Sequence, residues 1–466
     1  MSENLNPARV NPLWPAALSL AALVGALTAT VLRGGTLGDR SGLYGWYLLD
    51  GALFALAVVL LRRVRSTAVP WVVLVGSVAV AATGLLAPPR TSDDAYRYLW
   101  DGRVQAAGIS PYDHAPDAPE LAGIRRQAPE LFPPGGDCTG WDERRTAAGE
   151  CSRINRPAVH TIYPPVAESW FAGLYALGGR FGVQAAQLGG ALLAVATSGA
   201  LLLVLRRLGT GPSWRAALWG WCPGVAVWAV NDAHVDTLGA LLLVVSLAAT
   251  RRGRRALGGG LLGLSVATKL VPVLALPGAL SGVLARRPLA RDLVLPLATL
   301  ATLALSYLPY LLASGPAVLG YLPGYLREEG YEQGRVERFG LLRLVLPDQL
   351  AVVAGAVVIL AAVGWVLFRG DPARPWRGSL LVTGTALLVV APAYPWYGLL
   401  VVALAALDGR WEWLAVPAAG QVLYLAGGHA QQLAYGAALV AVVAGAVIRR
   451  QATSRSDAPA GVHVAE

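Results

Sequence analysis

Long apolar stretches recur along almost the whole chain, and they constrain its fold more than any other feature. A helix that crosses a bilayer needs about 20 mainly apolar residues. Only 14% of the residues are charged, whereas a soluble domain carries about 25%. The sequence therefore predicts an all-α polytopic membrane protein with about 11–14 transmembrane helices. The apolar stretches cover 13–32, 43–61, 69–88, 163–179, 182–205, 213–230, 233–250, 256–285, 292–313, 349–368, 379–394, 396–408, 412–427 and 431–448.

Arginine-rich turns between these stretches predict the orientation of the chain. Cytoplasmic loops of membrane proteins are enriched in Lys and Arg, so the net charge of +10 is interpreted as a topology signal. Attraction to anionic membrane lipids is a secondary consequence, and no nucleic-acid partner is expected. The turns assigned to the cytoplasm are 62–65, 206–207, 251–255, 286–291, 369–377, 410 and 449–450. The segments assigned to the extracytoplasmic face are 89–161, 231–236, 314–338, 394–397 and 427–431.

This orientation divides the chain into six regions. They are N-terminal transmembrane helices (1–88), an extracytoplasmic loop with an acidic motif (89–162), a central transmembrane module with a polar site (163–313), a second extracytoplasmic loop (314–338), C-terminal transmembrane helices (339–450) and a disordered cytoplasmic tail (451–466). The first stretch is expected to be a retained helix, because no small-residue cleavage site precedes Arg33.

Two places do not fit a simple alternation of spans. Three apolar stretches lie between residues 163 and 230, although both ends of that interval should be outside, so one is expected to be re-entrant or interfacial. Stretch 256–285 has arginines at both ends, so it is expected to be two half-helices broken near Lys269–Pro272. Irregular backbone at membrane depth is tolerated only where it is buried in protein or lines a cavity. The break therefore predicts a site.

Adjacent carboxylates, Asp93 and Asp94, begin a polar segment just beyond the third apolar stretch. Adjacent side chains on a helix do not face each other, so the two are not expected to point into one site. One is expected to act as a general base for an acceptor hydroxyl, and the other to cap the helix or bind water. The alternative is a simple helix N-cap, since Ser and Asp favour that position.

Two further polar motifs interrupt the central module. Asn231, His234 and Asp236 lie in one turn between apolar stretches, where His234 and Asp236 could bind a metal ion or a sugar hydroxyl. The alternative is a polar turn with satisfied hydrogen bonds. Lys269 is the one lysine of the chain, and a charge in the middle of a membrane costs about 2.5–3.5 kcal/mol. An ammonium suits a phosphate oxygen, whereas the alternative is a lysine that snorkels to the interface.

Other candidates lie at helix starts and in loops. Tyr163 precedes two prolines, a pattern typical of the first turn of a helix. Arg335 and Arg338 belong to a charged loop, and each could grip phosphate bidentately or form solvated salt bridges. Trp396 lies in a Tyr-Pro-Trp-Tyr segment that could stack on a sugar or an isoprenoid chain, or anchor the interface.

The three cysteines fall into two classes. Cys138 and Cys151 share the first extracytoplasmic loop, where an oxidising exterior would permit a disulfide. Two free thiols are the alternative, because the sequence does not give the Cα separation. Cys222 lies in an apolar stretch and is expected to be inert. No P-loop, dinucleotide or zinc-spaced motif is present, so ATP-driven transport within this chain is not expected.

In their order, these motifs resemble those of the GT-C superfamily of membrane glycosyltransferases. The segments SDDAYRYLWDGRVQAAGISPYDHAP and TIYPPVAESWF are similar to the first loop and the following helix of actinobacterial polyprenol-phosphate-mannose-dependent mannosyltransferases. The resemblance covers residues 90–280. The last third of the chain matches only as generic membrane helices.

The resemblance implies inverting transfer of a hexose, expected to be mannose, from a polyprenyl phosphate to a hydroxyl of an envelope lipid or glycan. The reaction is expected outside the plasma membrane, with Asp94, or alternatively Asp93, as the base. Lys269, Arg335 and Arg338 are assigned to the donor phosphate by position and chemistry. Substrate contacts are assigned to Tyr163, Asn231, His234, Asp236 and Trp396. No cofactor is assigned, and the need for a divalent metal is left open.

Two other classes of protein are consistent with parts of this pattern. A transporter or flippase of lipid-linked glycan precursors would use the same midplane polar residues and broken helices. It does not explain a long polar loop headed by Asp93 and Asp94. A scaffold in envelope biosynthesis would predict little effect of Lys269→Ala beyond folding.

Overall fold

The computed structural model describes residues 12–135, 137–328 and 338–456, and these are mostly helical. The helices that precede and follow the first long loop are α1 (Trp14–Arg33), α2 (Leu43–Leu61), α3 (Val69–Thr83), α6 (Pro165–Gly178) and α7 (Val183–Arg207). The loop itself contains α4 (Asp94–Ala106), α5 (Ala122–Arg125) and the paired strands β1 (Arg144–Arg145) and β2 (Cys151–Ser152).

Most of the remaining helices lie within predicted apolar stretches, but stretch 256–285 contains two helices, and Leu322–Glu328 is helical inside the loop predicted for 314–338. The remaining helices are α8 (Ala217–Gly220), α9 (Asp236–Arg251), α10 (Arg255–Thr268), α11 (Leu276–Ala279), α12 (Val294–Ser314), α13 (Leu322–Glu328), α14 (Asp348–Arg369), α15 (Pro375–Val390), α16 (Leu399–Asp408), α17 (Ala415–Ala426) and α18 (Gln431–Ser456). The tail predicted to be disordered from residue 451 is helical as far as Ser456, and its last ten residues lie outside the described ranges.

Within the described ranges, six helices are long and apolar enough to cross a membrane, or seven if one bent pair counts as a span. Their outer surfaces are apolar: Leu312 is 80% exposed and Leu433 is 81% exposed. Large apolar surfaces of this kind are rare in proteins that face water. The chain is therefore a helical membrane protein. Fewer spans qualify than the 11–14 predicted, because several predicted stretches form apolar helices of only 10–17 residues.

Contacts between turns agree with the two groups predicted from arginine placement. In the arginine-rich group, Asp408 contacts both Arg377 (3.3 Å) and Arg410 (2.8 Å). In the other group, the backbone N–H of Tyr321 donates to the carbonyl of Thr161 (3.0 Å). The long loop and the segment before α13 are thereby brought together.

Two irregular segments interrupt the central helices. Residues Val225–Asn231 form a π-helix that bends by 112° into α9. Stretch 213–230 is thus the irregular one of the three that did not fit the alternation of spans. The second interruption is at Lys269, which is extended (φ −157°, ψ 140°) between α10 and a 3₁₀ turn that begins at Val271. The predicted break near Lys269–Pro272 is confirmed.

Glycines allow α10 to pack closely against α12. A Cβ on Gly263 would lie 2.6 Å from the carbonyl oxygen of Thr299, and a Cβ on Gly259 would overlap the carbonyl oxygen of Leu295. Without a strong hydrophobic force between helices in lipid, close approach through small residues is a main source of association. This contact holds the half-helix that ends at Lys269.

We expect Gly259→Ala to lower the apparent melting temperature of the purified protein, because the added methyl group forces the two helices apart at a cost of about 1–3 kcal/mol. Gly260→Ala is the matched control, since its Cβ would meet only the Thr302 hydroxyl, at 3.5 Å. Equal melting temperatures for the two variants would contradict this packing.

Candidate active site

A cavity of about 600 Å³ lies where α4, the break at Lys269 and the Tyr394–Tyr397 segment meet. Its lining is mixed in character. The polar part includes Asp93, Asp94, Arg97, Arg144, Asn155 and Arg156, and the apolar part includes Leu270, Val271, Leu274, Leu322, Leu387 and Val390. Aromatic side chains, among them Tyr163, Tyr325, Tyr394 and Trp396, complete it. The cavity can therefore accommodate a ligand that is polar at one part and apolar at another.

Both carboxylates of the acidic pair line this cavity, joined by one amide. Asn155 Nδ2 donates to Asp93 Oδ1 (3.0 Å) and to Asp94 Oδ1 (2.5 Å). Asp93 Oδ2 accepts a hydrogen bond from Arg144 Nη2 (3.1 Å), and Asp94 Oδ2 accepts one from the Tyr163 hydroxyl (3.2 Å).

The expectation that adjacent carboxylates could not share one site is wrong. Asp93 is the N-cap residue of α4, with non-helical φ and ψ of −105° and 6°, so helical spacing does not govern its side chain. The N-cap alternative also fails for its carboxylate, which makes no cap hydrogen bond. The Ser92 hydroxyl instead accepts the N–H of Asp94 (3.3 Å).

The backbone before α4 is held by the carboxylate of Asp232. Its Oδ1 accepts the N–H groups of Arg90 (3.2 Å), Thr91 (3.0 Å) and Ser92 (3.2 Å), and its Oδ2 accepts the Thr91 hydroxyl. Asn231 holds the same backbone segment. Its Oδ1 accepts the N–H of Arg90 (3.0 Å), and its Nδ2 donates to carbonyl oxygens that include that of Gly84 (3.0 Å). These bonds place the acidic pair at the cavity.

Asp93 and Asp94 differ in the charges and hydrogen-bond donors that surround their carboxylates. Burial, and then the charge of Asp94, raises the pKa of Asp93 to about 6, while the Arg144 guanidinium and the Asn155 amide oppose the rise. Asp94 contacts neutral donors and the imidazole of His234, whose Nδ1 lies 3.4 Å from Asp94 Oδ2.

His234 lies behind the cavity and packs on an aromatic ring that lines it. The imidazole is buried and stacks on Trp396 with 3.8 Å between ring centroids. Neither ring nitrogen forms a hydrogen bond with any of the described residues. The 3.4 Å approach to Asp94 is therefore an electrostatic contact rather than a hydrogen bond.

Lys269 enters the cavity as half of an ion pair. Its Nζ lies 2.7 Å from Asp236 Oδ2 and 4.4 Å from the centroid of the Tyr397 ring. Pairing with a carboxylate and an aromatic face explains how an ammonium is accommodated among apolar residues. An ammonium has three N–H donors, so this pairing leaves donors for a ligand.

The cavity brings together six of the residues predicted from sequence: Asp93, Asp94, Tyr163, Lys269, Arg338 and Trp396. His234 and Asp236 contact members of this set. Asn231 does not line the cavity, and the structure corrects its assignment to substrate: its side chain is used by backbone groups, as in the alternative of a satisfied polar turn. Arg335 lies outside the described residues.

The polar cavity residues that sequence reasoning missed include Arg97, Arg144 and Asn155. Arg97 had a local signal, because Asp101 follows four residues later and both its oxygens accept from Arg97 Nε (2.8 and 2.9 Å). The buried Nη2 of Arg97 has no hydrogen-bond partner in the part of the chain that the structure describes. Asn155 and Arg144 had no local signal, since their contacts with α4 cross more than 50 residues of sequence.

Cys138 and Cys151 form a disulfide, with Cα atoms 5.3 Å apart, which settles the open pairing. Among the residues in the described ranges, no group of three or more His, Cys, Asp or Glu side chains is arranged to hold a metal ion.

No protein-family model, curated protein or solved structure matches the chain.

We expect Asp232→Ala to lower the apparent melting temperature, because it removes an acceptor shared by three backbone N–H groups and a hydroxyl. Loss of hydrogen bonds to a charged group costs about 1.5–3 kcal/mol each, and the freed N–H groups can bind water in part. Asp232→Asn keeps one carbonyl oxygen as acceptor and should retain most of the stability. Equal stability of Asp232→Ala and the parent protein would show that this carboxylate does not hold the segment.

Proposed function

We propose that this protein is an integral-membrane glycosyltransferase of GT-C type. It would transfer a hexose, expected to be mannose, from a polyprenyl-phosphate sugar to a hydroxyl of an envelope lipid or glycan, with inversion. The observation that carries the proposal is one cavity that holds an acidic pair, cationic side chains that include Lys269 and Arg338, and an apolar lining. The GT-C topology of 11–14 spans belongs to the same proposal.

The acidic pair supports the base chemistry. Asp94 would accept the proton of the acceptor hydroxyl while the oxygen attacks the anomeric carbon and the bond to phosphate breaks. Asp93 is the weaker candidate, because its Oδ2 is already held in an ion pair by the Arg144 guanidinium. Asp94 has the Tyr163 hydroxyl and the Asn155 amide as neutral donors, which orient it without neutralising it.

The cationic residues suit a phosphate leaving group. Phosphate develops negative charge as the glycosidic bond breaks, and fixed positive groups stabilise that charge. Lys269 and Arg338 line the same cavity as Asp94. The donor is already activated, so the reaction needs no nucleotide, in agreement with the lack of nucleotide motifs in the sequence.

The apolar lining supports a lipid-linked donor. Leu270, Val271 and Leu274 come from the segment that follows the Lys269 break, so apolar side chains continue directly from the ammonium. Leu270 is also 41% exposed. An amphiphile could thus place its phosphate near Lys269 and its chain along this segment. The Cys138–Cys151 disulfide suits an oxidising, extracytoplasmic side.

We expect Asp94→Asn to lower the rate of sugar transfer by about 10²–10⁴-fold, the usual contribution of a general base. The measurement is transfer by purified protein in lipid, with polyprenyl-phosphate-mannose as donor and a membrane lipid extract as acceptor. Asp93→Asn should lose less. Full activity of Asp94→Asn would remove it as the base.

The same assay separates the transferase from the transporter. If the parent protein consumes no donor, either another lipid-linked sugar is the donor or the transport hypothesis takes first place. Transport would then be tested by the accumulation of a lipid-linked precursor in cells that carry Asp94→Asn.

We expect Lys269→Gln to raise the KM for the donor by roughly tenfold, the value of one charge-assisted hydrogen bond. That change also leaves Asp236 unpaired, so the informative variant is the double change Lys269→Gln with Asp236→Asn. If Lys269 binds phosphate, the KM stays high in the double variant. If Lys269 only neutralises Asp236, the double variant recovers the parent KM. Arg343→Gln, which removes an arginine paired with Asp348 outside the cavity, is the control for charge alone.

A further inference from the structure

The loop between Cys138 and Cys151 presents one arginine to the acidic pair. Its strands β1 and β2 pair Arg144 with Ser152 and Arg145 with Cys151. The disulfide joins Cys151 to Cys138, so the strand that pairs with β1 is covalently tied to the start of the loop.

The Arg144 guanidinium is oriented by its own loop. Its Nη1 donates to the carbonyls of Trp141 (2.8 Å) and Glu143 (2.9 Å), and its Nη2 donates to Asp93 (3.1 Å). An arginine held by two carbonyls has little rotamer freedom, and its planar group is aimed at one carboxylate oxygen. The direction of Arg144 is therefore set by the fold of the loop.

The two strands alone do not account for the fold of the loop. A pair of two-residue strands is far below the size at which a hairpin is stable alone. Besides the disulfide, the contacts that hold the loop include the Arg125–Glu150 ion pair (2.9 Å), the Arg153–Asp142 ion pair (3.8 Å) and the close packing of Trp141 on Gly38. A covalent link in so small a unit reduces the alternatives available to the loop.

We propose that the disulfide-closed loop 138–151 positions Arg144 against Asp93, and that this contact keeps Asp93 as the charge-paired partner and leaves Asp94 as the base. Arg144 is thus a positioning residue for the transfer reaction. The inference rests on the proposed function and deepens it.

The physical reason is the repulsion between adjacent carboxylates. Among the described residues, the titratable groups that act on Asp93 include Asp94, Arg144 and Tyr424. Other cations of the cavity lining are Arg97, Arg156, Lys269 and Arg338. Arg144 is in direct contact with Asp93, 3.1 Å from its Oδ2, and there it offsets the second negative charge, together with the Asn155 amide. Without it, two carboxylates that share the Asn155 amide would retain one proton between them to higher pH, as in other carboxyl dyads. The base would then be protonated in a larger fraction of the molecules.

The first test compares the pH dependence of kcat/KM in Arg144→Gln with the parent enzyme. We expect the acidic limb to move to higher pH by about 1 unit, the usual effect of losing an opposite charge at this distance. The loss of rate should accordingly be larger at pH 6 than at pH 8. Arg144→Lys should retain part of the effect. Arg145→Gln is the matched control, because Arg145 follows on the same strand and its Nη1 donates to Gly149.

The second test asks whether the disulfide acts through Arg144. Cys138→Ser with Cys151→Ser should shift the acidic limb in the same direction in the parent enzyme and cause little further shift in the Arg144→Gln background. Reduction of the intact protein, followed by counting of free thiols, gives the same comparison if the double serine variant does not fold. Melting temperatures are measured in parallel for every variant.

Three outcomes would overturn the inference: an unchanged pH profile in Arg144→Gln, an equal shift in Arg145→Gln, or equal effects of disulfide loss with and without Arg144. Each requires an active parent enzyme. A parent protein that does not consume the donor contradicts the proposed function instead, so the two failures are distinguishable.

Discussion

The hydrogen bonds between the Asp232 carboxylate and the backbone of residues 90–92 are the constraint on which the candidate site depends. They join the bend after the π-helix to the segment that leads into α4. Thr91 and Ser92 are buried. Buried backbone N–H groups must find an acceptor, and a carboxylate can satisfy several at once. That segment ends in Asp93 and Asp94. The bend after the π-helix therefore also fixes the position of the acidic pair.

Most of the charged side chains discussed for this site form ion pairs. Asp101 holds Arg97, Asp236 holds Lys269, and Arg144 holds Asp93. A buried ion costs several kcal/mol unless a partner offsets it, so pairing lets many ionisable groups gather within one module. Asp94 differs, since its contacts are an amide, a phenol and an imidazole. This difference is the physical basis for the proposal that Asp94 is the base.

Local patterns predicted the parts of the structure that local physics determines. Most apolar stretches contain helices, although stretch 256–285 contains both α10 and α11 and α13 lies in a predicted loop. A lysine followed by proline in an apolar run predicted the break at Lys269. The same patterns could not locate Asn155 or Arg144, whose contacts join distant parts of the chain. For Asn231 the polar turn was recognised, but the sequence could not show that backbone carbonyls would use its amide. For Asp93 the error came from assuming helical geometry one residue before the helix begins.

The cross-links around the acidic pair support the proposed transferase over a transporter. A transporter must expose its site alternately to two sides, so the elements that line the site have to move relative to one another. Here Arg144 comes from a loop closed by a disulfide, and it meets an Asp93 whose backbone neighbours are held by Asp232. The Asn155 amide further joins the two aspartates to the segment before Tyr163. Such cross-links restrict motion around the acidic pair, and catalysis by a fixed base and fixed cations benefits from that restriction, since preorganised groups need no rearrangement when charge develops.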